Sequence, residues 1–150
     1  MVNNAREALT IACEMEKRAV KMYQRGGMVC PHMKEILAQY ELEERSHLAR
    51  FTQMGETLGG VAKGEDQVLL NARAAQVIFA GGLMEAQREN AFNDLASFLT
   101  YAAGQEAQAI ETYRRFAELS EDAAAREMFL AIAGEETVHH EVLTSRLAAL

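Results

Sequence analysis

The chain has no tryptophan, one proline and two cysteines in 150 residues, and each shortage narrows what it can be. A single proline leaves long helices uninterrupted. The two cysteines, Cys13 and Cys30, form no CxxC motif, and a reduced thiol pair is their ordinary reading. Lys and Arg never form a run, and the formal net charge is −7, which argues against nucleic acid or an anionic membrane as partner. Long apolar runs are missing too. The first residues, MVNNAREALTIACEMEKR, lack a basic region followed by an apolar stretch, so neither a signal peptide nor a transmembrane segment is expected and a cytoplasmic location is.

What remains is rich in Ala, Leu, Glu and Met, 49% hydrophobic and 25% charged, the composition of one soluble helical domain. The patterning predicts an all-α protein with four long helices. The first runs roughly over Asn4–Arg25 and stops at Gly26-Gly27. The second opens near Cys30-Pro31, with Pro at the first helical position, and fades by Gly59-Gly60. The third covers roughly Phe92–Leu119. The fourth follows at once, with Ser120 or Asp122 as cap, and continues to the C-terminus. Short connections make helices one and two, and three and four, antiparallel neighbours. Residues 59–90 are too long for a turn and are expected to cross the length of the bundle, with a short helix around 67–75 and an apolar stretch, QVIFAGGLM, that covers a bundle face or a subunit contact.

Each helix carries an apolar stripe at three- and four-residue spacing, and each stripe is interrupted by acid. Helix one reads Leu9, Ala12, Glu16, Ala19, Tyr23. Helix two reads Leu37, Tyr40, Glu44, His47, Phe51. Helix three reads Leu99, Ala102, Glu106, Ala109, Tyr113. Helix four reads Phe129, Ile132, Glu136, His139, Leu143. The register selects between adjacent acids: Glu44 lies on the stripe and Glu43 about 100° around the helix, and the same holds for Glu136 over Glu135 and Glu16 over Glu14.

The two halves repeat each other. Glu16 precedes Tyr23 by seven residues as Glu106 precedes Tyr113, and Glu44 precedes His47 by three as Glu136 precedes His139. With 19 Glu in the chain, about one His in eight has a Glu three before it by chance, so one Glu-x-x-His says little. Two of them, each on an inward stripe and each paired with a helix bearing an inward Glu, say much more. An unpaired buried carboxylate is costly, and four of them need compensation. Glu and His at i and i+3 reach one centre. Four carboxylates and two imidazoles suit iron or manganese, with zinc possible, and two divalent cations would balance the four carboxylates.

These residues, in EMEKRAVKMY, EERSH, QEAQAIETY and EETVH, resemble the ferritin-like superfamily and most nearly the di-iron domain of rubrerythrins. The resemblance spans all four long helices. It implies a ferritin-like four-helix bundle with a long crossover between helices two and three, and a site of two Fe ions. Glu44 and Glu136 would bridge, Glu16 with His47 would complete one metal, and Glu106 with His139 the other. Rubrerythrins carry a further carboxylate where this chain has Ala109, and a rubredoxin module with paired CxxC motifs that is missing from these 150 residues. The six-ligand set is closer to bacterioferritin-like sites, and electrons would come from an external donor such as a rubredoxin-type protein or a reductase.

The expected activity is reduction of peroxide or O₂ coupled to Fe(II) oxidation. The alternatives are an iron-binding or ferroxidase protein for storage or delivery, and a non-catalytic helical interaction domain held together by metal. Tyr23 and Tyr113, one or two turns from the inward acids, are candidates for bonding ligands or handling protons, although an inward Tyr is commonly core. Cys13 reads as a small buried hydrophobe, His140 as a surface residue, and His32 beside Cys30 as structural. A homodimer is expected from the apolar crossover.

Overall fold

The computed structural model describes residues 2, 4–60 and 83–150. Among these there is no strand. Helix α1 spans Ala5–Val29, a 3-10 turn spans Pro31–Met33, and α2 spans Lys34–Thr57. After the undescribed stretch come a short α3, Leu83–Arg88, then α4, Leu95–Leu119, and α5, Ala123–Ala148. The helix expected around 67–75, and most of QVIFAGGLM, lie outside the described residues.

The helix starts follow capping chemistry. The Asn4 side chain accepts from the Glu7 amide, Asp94 from the Ser97 amide and Asp122 from the Ala125 amide, each satisfying an otherwise orphaned donor. Asp122 is thus the cap of α5, and Ser120 instead donates its hydroxyl to the Phe116 carbonyl. Pro31 starts the 3-10 turn, where its missing N–H costs nothing. Helix α4 begins at Leu95 rather than Phe92, because its cap is Asp94.

One expectation fails. Gly26-Gly27 does not end the first helix, which continues to Val29. Packing accounts for the glycine at position 26. A Cβ on Gly26 would fall 2.3 Å from the Phe98 ring of α4, so the glycine lets another helix press close rather than turning the chain. Among the described residues the glycines with positive φ are Gly59 and Gly60, at 95° and 88°, where α2 has ended.

The four long helices form a helical bundle of two hairpins. Helix α1 packs along α2, and α4 along α5, while α1 meets α4 and α2 meets α5 across the hairpins. The core follows the stripes: Leu9, Ala12, Leu37, Phe51, Leu99, Ala102, Phe129, Ile132 and Leu143 are all buried. Both cysteines are buried and free. No helix among the described residues is long and apolar enough to cross a membrane.

A candidate metal centre between the hairpins

Six polar side chains sit inside this core. Glu16, Glu44, His47, Glu106, Glu136 and His139 are each at most 2% exposed. They come from the middles of α1, α2, α4 and α5. They fall into two groups, Glu16–Glu44–His47–Glu136 and Glu44–Glu106–Glu136–His139, and within each group the candidate donor atoms all lie within 4.8 Å of one another. Glu44 and Glu136 belong to both.

The distances are those of a coordination shell. His47 Nδ1 lies 3.2 Å from Glu44, 3.1 Å from Glu136 and 3.7 Å from Glu16. His139 Nδ1 lies 3.1 Å from Glu44, 2.9 Å from Glu136 and 3.9 Å from Glu106. Bonds of about 2.0–2.2 Å from a common cation would leave donor atoms about 3 Å apart, so both groups have the right span.

Hydrogen bonding alone does not account for the cluster. Glu16 Oε2, Glu44 Oε1, Glu136 Oε2 and His139 Nδ1 are buried without a hydrogen-bond partner. The His139 Nδ1–Glu44 Oε1 approach of 3.1 Å is therefore close but lacks the alignment of a hydrogen bond. Buried polar atoms are normally satisfied, and four exceptions in one cluster make a site that could hold a metal ion. Two oxygen-rich groups with one imidazole each fit divalent cations of the iron, manganese or zinc kind.

Outside these six residues the structure adds partners. Tyr23 donates its hydroxyl to Glu106, and Tyr113 donates to Glu16. Each tyrosine thus bonds the carboxylate of the other hairpin, not the one on its own helix. The imidazoles are tied the same way. His47 Nε2 meets Glu135 at 3.0 Å, and His139 Nε2 meets Glu43 at 2.5 Å. A ring that gives its Nε2–H to a carboxylate is fixed in orientation and turns its Nδ1 to the centre. Glu43 and Glu135 are the residues that the helical register places off the inward stripe. They are partly exposed, and each reaches across the seam to the opposite histidine. The signal was present as the doubled acid in EERSH and EETVH. The register located the inner acid but not the neighbouring helix within reach of the outer one.

Protonation reflects the crowding. Burial, and then the charges of Glu44 on Glu16 and Glu136 on Glu106, push both carboxyls well above their usual range. Burial also opposes ionisation of Glu44, yet the close approach of the His139 imidazole and the hydrogen bond with His47 overcome it and pull the group down to about 2. Burial disfavours charged imidazoles, but Glu136, Glu16 and Glu44 around His47, and Glu136 and Glu44 around His139, hold both rings well above the usual histidine range. Without a cation, then, the cluster gathers protons, and a bound cation would displace them. Burial and the adjoining carboxylates, Glu106 for Tyr23 and Glu16 for Tyr113, keep both phenols protonated.

The two ends of the site differ in their walls. Around Tyr113 stand Phe51, Phe129 and Phe116, with ring centroids at 5.2, 6.2 and 6.5 Å. Beside Tyr23 stands Tyr40, edge-on at 5.5 Å, whose ring also lies 4.3 Å from that of His139. Tyr23 further forms one wall of a surface groove of about 660 Å³ shared with Met28, Pro31, Lys34 and Glu41. Among the other residues singled out in the sequence, Cys13 is buried with its thiol 3.6 Å from the Thr52 hydroxyl, and burial raises its pKa. Comparison with protein-family models, curated proteins and solved structures finds no match to this chain.

Proposed function

We propose that the chain is a di-iron carboxylate protein of the ferritin-like, rubrerythrin type, with redox activity toward peroxide or O₂. The observation that carries this reading is the pair of buried donor groups that share Glu44 and Glu136. A shared carboxylate on either side is what a two-cation centre requires, and a structural network of buried charge would not leave four atoms unpartnered. Glu44 and Glu136 would bridge, Glu16 and His47 would hold one cation, and Glu106 and His139 the other.

Two iron(II) ions held there would supply one electron each, enough to take peroxide to water or O₂ to peroxide. The chain's own residues provide the rest. Glu43 and Glu135 fix the imidazoles so that Nδ1 faces inward. Tyr23 and Tyr113 keep a proton at each phenol oxygen, directed at Glu106 and Glu16, where it can offset charge changes on those carboxylates. Phe51, Phe116 and Phe129 exclude water from one end, and the groove beside Tyr23 brings solvent near the other. With Cys13 and Cys30 separate and buried, the described chain offers no dithiol, and an external donor supplies electrons.

Metal analysis of protein purified anaerobically from iron-replete cells, followed by absorption spectroscopy on adding peroxide, tests the reading. Two irons per chain that oxidise with peroxide are expected. Less than one transition metal per chain would overturn it. Two tightly held metals that do not react would leave a metal-stabilised helical domain in its place.

A further inference from the structure

The two histidine–carboxylate pairs are mirror images up to the carboxylate and differ behind it. Glu135, the partner of His47, accepts a second bond from Arg50 Nη1 at 2.7 Å through its other oxygen. Glu43, the partner of His139, accepts instead from the side-chain amide of Gln39, also at 2.7 Å. Neither backing residue obeys the internal repeat. The position matching Arg50 in the second hairpin is Val142, and the one matching Gln39 is Ala131. The asymmetry therefore belongs to the outer partners and not to the six inner groups, which match throughout.

A carboxylate that accepts the Nε2–H of an imidazole makes the opposite nitrogen a better donor to a cation. A guanidinium bound to that carboxylate competes for its charge, with a charge-assisted bond roughly twice as strong as a neutral one. Arg50 also brings a positive charge to the His47 side. Its side chain is one-third exposed, so solvent weakens the effect without removing it. The neutral Gln39 amide leaves more of the Glu43 charge to His139.

We propose that Arg50 and Gln39 make the two halves of the centre unequal, so that a divalent cation fills the Glu106–His139 half first and the Glu16–His47 half second and more weakly. This rests on the two-cation reading of the site. Arg50 and Gln39 act through Glu135 and Glu43 and are positioning residues.

Calorimetric titration of metal-free protein with Co(II), followed in parallel by the paramagnetically shifted imidazole N–H resonances in proton NMR, tests the order of filling. Two steps are expected, with constants about tenfold apart, the lower end of what outer-shell partners change. The first shifted N–H should vanish in His139→Ala and persist in His47→Ala. Arg50→Gln should tighten the second step and narrow the gap, and Gln39→Arg should weaken the first. Equal constants in the unmodified protein, a first resonance lost in His47→Ala, or a gap unchanged by both Arg50→Gln and Gln39→Arg would overturn the inference and leave the two-cation reading standing. Failure to bind Co(II) at either half would overturn both.

Discussion

The Tyr113 end and the Tyr23 end of the centre perform the same contact in different surroundings. Each tyrosine donates to the glutamate of the opposite hairpin. Around Tyr113, three phenylalanines close the space. The repeat shows how the other end differs: Gly26 stands where Phe116 does, Leu37 where Phe129 does, and Leu143 answers Phe51. Gly26 admits Phe98 from α4, Tyr40 lies over His139, and a groove opens at Tyr23. An internal repeat can thus keep its polar centre symmetric while its apolar shell diverges, because apolar volume can be refilled by other side chains of similar size.

Four experiments break or sharpen the contrast. The largest effect is expected at the residues common to both halves. Glu44→Ala should abolish binding of both cations, while Glu16→Ala should spare the Glu106–His139 half, as read by metal retained after gel filtration. Retention of two metals by Glu44→Ala would rule out a shared ligand.

Next comes the closed end. Phe51 is fully buried between Tyr113 and Phe129, and Phe51→Ala should cost about 3–5 kcal/mol in denaturant unfolding. Its counterpart Leu143 is equally buried, and Leu143→Ala should fall lower, at about 2–5 kcal/mol.

A smaller effect concerns the hydroxyls. Removing either one leaves a buried carboxylate short of a donor, at about 1–3 kcal/mol. Both tyrosines are equally buried, but Tyr23 lines the surface groove while three phenylalanines enclose Tyr113, so Tyr113→Phe should cost more than Tyr23→Phe if water enters from the groove once the Tyr23 hydroxyl is gone. The reverse order in thermal or chemical unfolding would contradict the assignment of open and closed ends.

The last is a pH dependence common to both ends. Glu16, Glu106, His47 and His139 all have folded pKa values above their ordinary ones, so above those ordinary values the folded state holds more protons than the unfolded chain. Metal-free stability should therefore fall as pH rises past 4.5 and further past 6.5, the ordinary values of Glu and His. Glu44 acts in the opposite sense, and its contribution is lost as pH falls from 4.5 toward about 2. With a cation bound, the ligands are deprotonated in the folded state, so stability should instead rise as pH climbs through 4.5 and 6.5 and level off above neutrality. Melting temperatures of the metal-free protein that rise between pH 6 and pH 9 would contradict the protonated cluster.

Much of this was legible in the sequence. Apolar spacing located the four helices, and the same spacing separated Glu44 from Glu43 and Glu136 from Glu135 by burial. What it missed depended on neighbours distant in sequence. Gly26-Gly27 has the local form of a helix stop, and only the Phe98 ring shows why a glycine stands inside a continuing helix. Glu43 and Glu135 look solvent-facing from their own helices, and become histidine partners because another helix lies alongside. The pairing of each tyrosine with the far glutamate is likewise a property of the assembled hairpins. Periodicity reports which face of a helix is buried, not what that face meets.

The lacing across the seam has one more result. Tyr23 with Glu106, Tyr113 with Glu16, His47 with Glu135 and His139 with Glu43 each join one hairpin to the other through a member of the centre. Holding the hairpins together and assembling the donor set are therefore a single event. Any motion that parts them dismantles both halves at once, and a cation seated there would act as a rivet whose release and whose loosening of the bundle share one equilibrium.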